Sequence, residues 1–420
     1  MTAKIAILHY TAAPTVGGVE AVIQCHIPLM LGAGEKVTLF AGRGSREALP
    51  EGVEFRLIPE MDSQHPQIAK ASQELEKGHL PADFETLASS LEKTLEPLLA
   101  PYDHVIAHNL FTTHFNLPLT IALSRLLDRR RLRGFIAWCH DLSWSSPTSH
   151  QKVHPGYPWD SLRTFRPDIT YVTVSQARRD ELAGLLDVPL ERIKVVYDGV
   201  SPDDLLGLSP NGAALIDRLG VWASDLVLLL PVRITRAKKI DFAFEVVARL
   251  KAADLRPLLV VTGPPDPHAL SIMEYFRSLQ DLRRDLGVEK EARFVYESGL
   301  DPDQPLIIDT GLVSELYRVS DTLLMPSDHE GFGMPVLEAG LVGMPVFSTE
   351  FPSAKEIGGR DIFRFDKEDS PEKVAELIQI WAENDPVHRF RRRVRQSYTW
   401  QTIFDHDILP LLNGIGSGKD

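Results

Sequence analysis

Cysteine is scarce: the 420 residues hold two, Cys25 and Cys139. Two thiols build no disulfide framework. Met1 leads within a few residues into the strand-like KIAILHY rather than into a basic stretch and an apolar core. The expectation is a cytoplasmic chain without a signal peptide. Long hydrophobic runs are missing as well. The most apolar, DLVLLLPV at 225–232 and PLLVVTG at 257–263, are far shorter than the ~20 residues of a membrane helix and read as buried parallel strands. Positive charge is in deficit, with 45 Lys and Arg against 58 Asp and Glu, a formal net charge of -13. A nucleic acid or an anionic bilayer would repel such a chain unless a local basic patch overrode the mean, so no nucleic-acid partner is expected. The stretch Asp62–Glu96 carries seven acidic residues against three lysines, the wrong sign for a membrane-docking helix. The basic runs RLLDRRRLR and HRFRRRVR have few bulky apolar residues between their charges and read as solvated helix faces. Stable membrane association is therefore not expected.

What is present is alternation. With 44% hydrophobic and 25% charged residues, the chain suits two domains with separate cores. Six short apolar segments precede residue 201 (KIAILHY, KVTLFAG, HVIAHN, GFIAWCH, ITYVTVS, IKVVYDGV), and six follow it (LVLLLPVR, PLLVVTG, ARFVYES, TLLMPS, MPVFST, DIFRF). Stretches of helical spacing separate them, the pattern of a parallel sheet covered on both faces. Between the two series lies DGVSPDDLLGLSPNGAA, with the composition of an interdomain linker. The fold class expected is α/β, two doubly wound Rossmann-like domains facing across a cleft, with ligands at the carboxyl ends of the strands. The domains are placed at 1–203 and 204–395, and YTWQTIFDHDILPLL lies in a C-terminal helix, 396–420, packing back towards the first domain.

Two constellations carry chemistry. In SDHEGFGMPVLEAGLVGMPV, 327–346, a strand ends, Gly331 and Gly333 allow a tight turn, and Pro335 suits a helix start. Glu330 then sits in the loop at the strand's carboxyl end and Glu338 about one turn into the helix, with the N–H groups around Phe332, Gly333 and Met334 between them. Two carboxylates accept hydrogen bonds from vicinal hydroxyls, which a sugar and a ribose both carry. In LLPVRITRAKKID, Arg233 follows a buried strand and Lys238 comes five residues later. Cations there can neutralise the charge of a departing diphosphate. Arg236 and Lys239 read as solvated. Near the start, Gly17 and Gly18 follow the first strand, where missing side chains allow backbone to approach a phosphate.

The chain resembles the retaining glycosyltransferases of family 4, also called glycosyl transferases group 1, over nearly its whole length. The likeness rests on Glu330 and Glu338 within EGFGMPVLEA, on Arg233 with Lys238, and on GGVE at 17–20. LGAGEKVTLF, CHDL at 139–142 and VVYDGV support it. The resemblance implies a GT-B fold, with an acceptor-side first domain and a nucleotide-sugar donor domain after it. It implies that Glu330 contacts the donor sugar, Glu338 the donor ribose, and Arg233 and Lys238 the diphosphate. His140 would lie beside the transferred sugar, and the backbone of Phe332, Gly333 and Met334 would touch its hydroxyls. Three departures stand out: Val232 replaces the glycine usual before the arginine, Asp198-Gly199 replaces Asn-Gly, and ESGLDPDQPLIIDTGL at 297–312 is longer than the usual connection.

The implied reaction moves a hexose from a GDP-, UDP- or ADP-hexose to an acceptor hydroxyl with retention, without a cofactor or metal. Arg233 and Lys238 have the leading electrostatic role, and Glu330 and His140 position the sugar. The Asp-x-Asp pairs Asp301/Asp303 and Asp405/Asp407 read as solvated charges. Base choice depends on loops such as that near Tyr296. On the acceptor side, WCHDLSWSSPTSHQKVHPGYPWDSLRTF is rich in aromatics and histidine. Trp144, His108, Lys152 and Arg163 are candidate contacts for a small sugar or phosphorylated acceptor, and the histidine spacing matches no zinc pattern. A lipid- or polysaccharide-directed transferase, a GT-B-like epimerase or phosphorylase, and a non-catalytic nucleotide-sugar-binding protein are the alternatives.

Overall fold

Successive side chains of a parallel strand point to opposite faces, so a strand buried on both faces shows an unbroken apolar run. Strand β1 (Lys4–Thr11) does this: Ile5 and Ile7 enter one core cluster, Ala6, Leu8 and Tyr10 the other. The structure is a computed structural model and describes residues 2–265, 272–301 and 304–415. It divides into two compact units, one made of the chain up to Gly199 with the segment from Trp400 on, the other Val200–Thr399.

The first unit adds β2 (Lys36–Arg43), β3 (Glu54–Leu57), β4 (His104–His108), β5 (Phe135–Cys139), β6 (Thr170–Thr173) and β7 (Ile193–Val195). They form one parallel sheet in the order β3-β2-β1-β4-β5-β6-β7. Strand β3 is the one the apolar pattern misses. It pairs only with β2 at the sheet edge and its four residues are mostly exposed, so EFRL carries no hydrophobic signature. The C-terminal segment is helical at Trp400–Ile403, widens to a π-helical turn at Phe404–Ile408 and resumes at Leu409–Ile415. Ile403, Phe404, Ile408, Leu411 and Leu412 complete the core cluster on the Ile5 face of the first sheet. Gly199 leaves room for this segment, since a Cβ there would stand 2.8 Å from the Trp400 nitrogen.

The second unit carries β8 (Leu226–Leu230), β9 (Pro257–Val261), β10 (Ala292–Phe294), β11 (Thr322–Met325), β12 (Val346–Thr349) and β13 (Phe363–Phe365) in the order β10-β9-β8-β11-β12-β13. All five residues of β8 are fully buried, as its LVLLL run requires. Both sheets thus run outward from a central strand pair, β1/β4 and β8/β11, where the strand order reverses. In doubly wound sheets that crevice takes the ligand.

The helix Pro386–Ser397, expected as a solvated basic face, is basic outside but tied down by one buried charge. Arg395 Nη2 donates to Asp321 Oδ2 at 3.0 Å and to the Asp225 carbonyl at 3.1 Å. Asp321, just before β11, also accepts the Val227 N–H at 2.8 Å. Among the described residues no helix is long and apolar enough to cross a membrane.

Candidate functional site

At the carboxyl end of β11 the chain must turn sharply, and hydrogen bonds hold the turn. Thr349 Oγ1 donates to the Ser327 carbonyl at 2.6 Å. The Asp328 N–H donates to the Ala237 carbonyl at 2.9 Å, stitching this loop to the one that follows β8. That second loop is a 3-10 turn, Arg236–Lys238, closed by Lys239 in the left-handed region (φ 51°) ahead of the helix Ile240–Ala252. The stitch brings Lys238 and Glu330 together: Nζ lies 2.6 Å from Oε1, and Ser327 Oγ donates to the same oxygen at 2.7 Å. The Glu330 side chain is only 10% exposed. With Oε1 taken twice, Oε2 has no partner among the described residues.

Gly333 ends the loop in the left-handed region at φ 86°, and a Cβ there would stand 3.1 Å from the Phe351 ring. It caps the helix Met334–Leu341, with Pro335 in the first turn. Phe332 and Met334 are exposed on either side of it. Glu338 lies on that helix, exposed, and accepts the Tyr317 hydroxyl at 2.5 Å. Burial and this bond push the Tyr317 phenol above its ordinary range. Arg233 is exposed just beyond β8 and makes no ion pair among the described residues. Of the two cations expected to serve a diphosphate, Lys238 is thus committed to a carboxylate and Arg233 makes no ion pair among the described residues.

In the first unit the ends of β1, β4 and β5 gather histidines. His140, partly open, follows β5. Its N–H and that of Asp141 both donate to Asn109 Oδ1, at 2.8 and 3.1 Å, while Asn109 Nδ2 donates to Asp141 Oδ2 at 3.1 Å. Asn109 adopts φ 61°, a conformation its short polar side chain tolerates. His9 donates from Nδ1 to the His108 carbonyl at 3.2 Å, and its Nε2 faces Glu20 Oε1 at 3.7 Å. Burial alone would raise the Glu20 carboxyl, but the nearby His9 and the hydrogen bond from Thr11 bring it down to about 2. Gly17 makes room for that carboxylate, which would lie 2.2 Å from a Cβ at position 17; around Gly18 the space is open. His26 sits among the rings of Trp138, His108 and Trp400 with neither nitrogen hydrogen-bonded.

Burial holds His26 down at about 3 and His140 at about 4, and His108 lies well below its ordinary value. A histidine kept neutral in the fold contributes stability above its ordinary 6.5 that is lost as pH falls towards the depressed value. His26→Phe is expected to leave stability at neutral pH little changed and to remove part of the decline between pH 6.5 and 3, read by urea unfolding across pH.

The candidate acceptor-side residues are placed differently from the expectation. His108 is fully buried behind His140 and touches that ring rather than solvent. Lys152 is paired with Glu76 at 3.1 Å; Arg163 is paired with Asp160 at 2.8 Å and lies 4.0 Å over the Trp144 ring. Trp144 packs on a small cluster with Trp159 and Leu162, separate from the larger cores. Local carboxylates thus already engage both cations. Tyr296 packs edge-on against Phe276, and its carbonyl accepts the Leu306 N–H at 3.0 Å. Asp303 lies outside the described residues, and Asp405 accepts the Gln401 amide at 3.0 Å. Sequence reasoning missed His9, His26, Asn109, Asp141 and Ser327. His9, Asn109, Asp141 and Ser327 stand at strand ends, where apolar periodicity stops, and His26 lies on the helix Gly18–Gly32, so only strand order and helix packing could have pointed to them.

Residues 219–398 match the family described as Glycosyl transferases group 1. The D-inositol 3-phosphate glycosyltransferase of Saccharomonospora viridis is 30% identical over 242 residues, 56% of this chain and 53% of that protein. The mannosylglucosylglycerate synthase of Petrotoga mobilis is 23% identical over 323 residues, 70% of this chain and 73% of that protein. The crystal structure of a glycosyltransferase from Rickettsia africae ESF-5 aligns over 100% of both chains at 15% identity, with a TM-score of 0.39. The chain spans little more than half the length of the first of these relatives. The match takes in Arg233, Lys238, Glu330 and Glu338 and the whole second sheet. The match to the glycosyl transferases group 1 family thus lies in the second of two doubly wound, Rossmann-like domains.

Proposed function

We propose that the chain is a retaining hexosyltransferase that moves a hexose from a GDP-, UDP- or ADP-hexose to a hydroxyl of a small sugar or phosphorylated acceptor, without metal. The observation that carries this reading is Glu330. It is a nearly buried carboxylate at the β8/β11 switch point, with one oxygen fixed by Lys238 and Ser327 and the other left to accept a sugar hydroxyl. Arg233, open at the neighbouring strand end, supplies charge for the diphosphate. An ammonium has three donors, so Lys238 can hold Glu330 and still reach a phosphate oxygen. Glu338 takes ribose hydroxyls, and the N–H groups of Phe332, Gly333 and Met334 take sugar oxygens. His140 offers a polar contact to the transferred sugar.

In the step itself, the bond from the anomeric carbon to the diphosphate oxygen breaks as the acceptor oxygen bonds to the same face. The acceptor proton passes to the leaving phosphate. Stabilised charge matters more than a strong base in such a route. The names of the relatives, one an inositol-phosphate glycosyltransferase and one a synthase of a glycosylated glycerate, support a small polar acceptor. The test is nucleoside diphosphate release from a panel of nucleotide sugars, with and without a pool of small sugars and sugar phosphates. The expected result is release from one donor, rising with the pool, and a product of retained configuration by NMR. Inverted product, or bound donor without turnover against every acceptor including lipid and polysaccharide, would overturn the reading.

A further inference from the structure

Four imidazoles of the first domain stand close together, and for His9, His108 and His140 the surroundings determine where the protons lie. The His9 Nδ1 faces a carbonyl oxygen, which can only accept, so that nitrogen carries a proton. His108 and His140 are the informative pair. Their rings are near-parallel (24°), and His108 Nδ1 lies 3.1 Å from His140 Nε2. At that distance one nitrogen donates and the other accepts. His108 Nε2 is buried and has no hydrogen-bond partner. An orphaned buried N–H is rarer in proteins than an under-used acceptor. A proton on His108 Nε2 would create such an orphan, whereas on Nδ1 it is satisfied by His140. Burial keeps both rings neutral near pH 7, so neither carries a second proton. His140 Nε2 is then the acceptor, and its own proton resides on Nδ1. That atom has no partner among the described residues, on a side chain that is partly open.

We propose that His108 is a positioning residue that locks His140 in the tautomer protonated at Nδ1, so that His140 presents a hydrogen-bond donor to a sugar oxygen. The tautomer follows from the first domain alone; its use on a sugar rests on the hexosyltransferase reading. Which ring nitrogen is protonated is set by the bond the other makes, and His108 is the neighbour that makes it.

The experiment is a two-bond proton–nitrogen correlation spectrum of the full chain labelled with 15N-histidine at pH 7.5, with His140 assigned by its loss in His140→Gln. The expected wild-type signature is a protonated Nδ1 and a bare Nε2. His108→Asn keeps an amide donor near the place of Nδ1 and should retain that signature. His108→Leu removes it, and the Nε2-protonated form should appear. Transfer by His108→Leu should fall about tenfold in kcat/KM, within the range for loss of an orienting partner, and recover in His108→Asn. A wild-type His140 protonated at Nε2, or a His108→Leu spectrum unchanged at His140, overturns the proposal. A wild-type chain with the expected signature but no transfer supports the tautomer lock while contradicting the hexosyltransferase reading, so the two failures are distinguishable.

Discussion

Glu330→Ala is expected to lower turnover on the order of a hundredfold, the loss typical of a removed transition-state contact, in a chain that still folds. Two losses combine. Oε2, the acceptor proposed for a sugar hydroxyl, is gone, and Lys238 loses the carboxylate 2.6 Å away that fixes its ammonium. Lys238 is 21% exposed, so its charge can be rehydrated after the substitution, which keeps the cost in stability small. Glu330→Gln preserves shape and a neutral acceptor and should lose less. Lys238→Ala should match Glu330→Ala in turnover. Steady-state rates with the preferred donor, beside thermal melts, decide the matter. Near-normal rates in both alanine variants would remove the site assignment.

Arg395→Met is expected to cost about 3–5 kcal/mol of stability, the range for leaving one partner of a buried ion pair alone. The pair is almost sealed, with side chains 4% and 1% exposed. Asp321 would keep the Val227 N–H and the Arg391 Nε at 3.8 Å but lose the buried guanidinium that does most to offset its desolvation. Because Asp321 joins the starts of β8 and β11 to the helix Pro386–Ser397, the loss should appear as early unfolding of the second domain. Urea unfolding by circular dichroism measures it. Replacing Asp321 and Arg395 together by Asn and Met should recover part of the loss, since neither member of the sealed pair is then charged. A change below about 1 kcal/mol would mean that water reaches the pair, as it does in surface pairs.

The strands were legible wherever apolar residues cluster, including the partly exposed edge strands β7 and β13, and illegible in β3, where they do not. LVLLL and the IAILHY that follows Lys4 announce themselves because every residue is wanted inside, whereas EFRL at the sheet edge has no such demand. The neighbourhood of Glu330 was partly legible. The Gly-Phe-Gly-Met-Pro joint requires a turn into a helix, which Gly333 makes in the left-handed region. That Ser327 and Lys238 share one oxygen of Glu330 depends on a backbone bond from Asp328 to Ala237, and nothing in either segment alone encodes that bond. The histidine array was illegible for the same reason. His9, His108 and His140 are brought together by the order β1-β4-β5, over about 130 residues of chain, a long-range pairing no local pattern reveals. His26 joins them from the helix Gly18–Gly32. The aromatic stretch after His140 was misleading in the opposite sense, because Trp144, Lys152 and Arg163 have local partners that their composition does not disclose.

The most direct test of the account is titration calorimetry of UDP, GDP and ADP, and of their hexose derivatives, into the wild-type chain and Arg233→Ala. The account predicts that one nucleoside diphosphate binds, and that binding weakens by about tenfold or more without the guanidinium, the scale of one charge-assisted hydrogen bond. Failure of all three to bind the wild-type chain, or binding indifferent to Arg233, would contradict it.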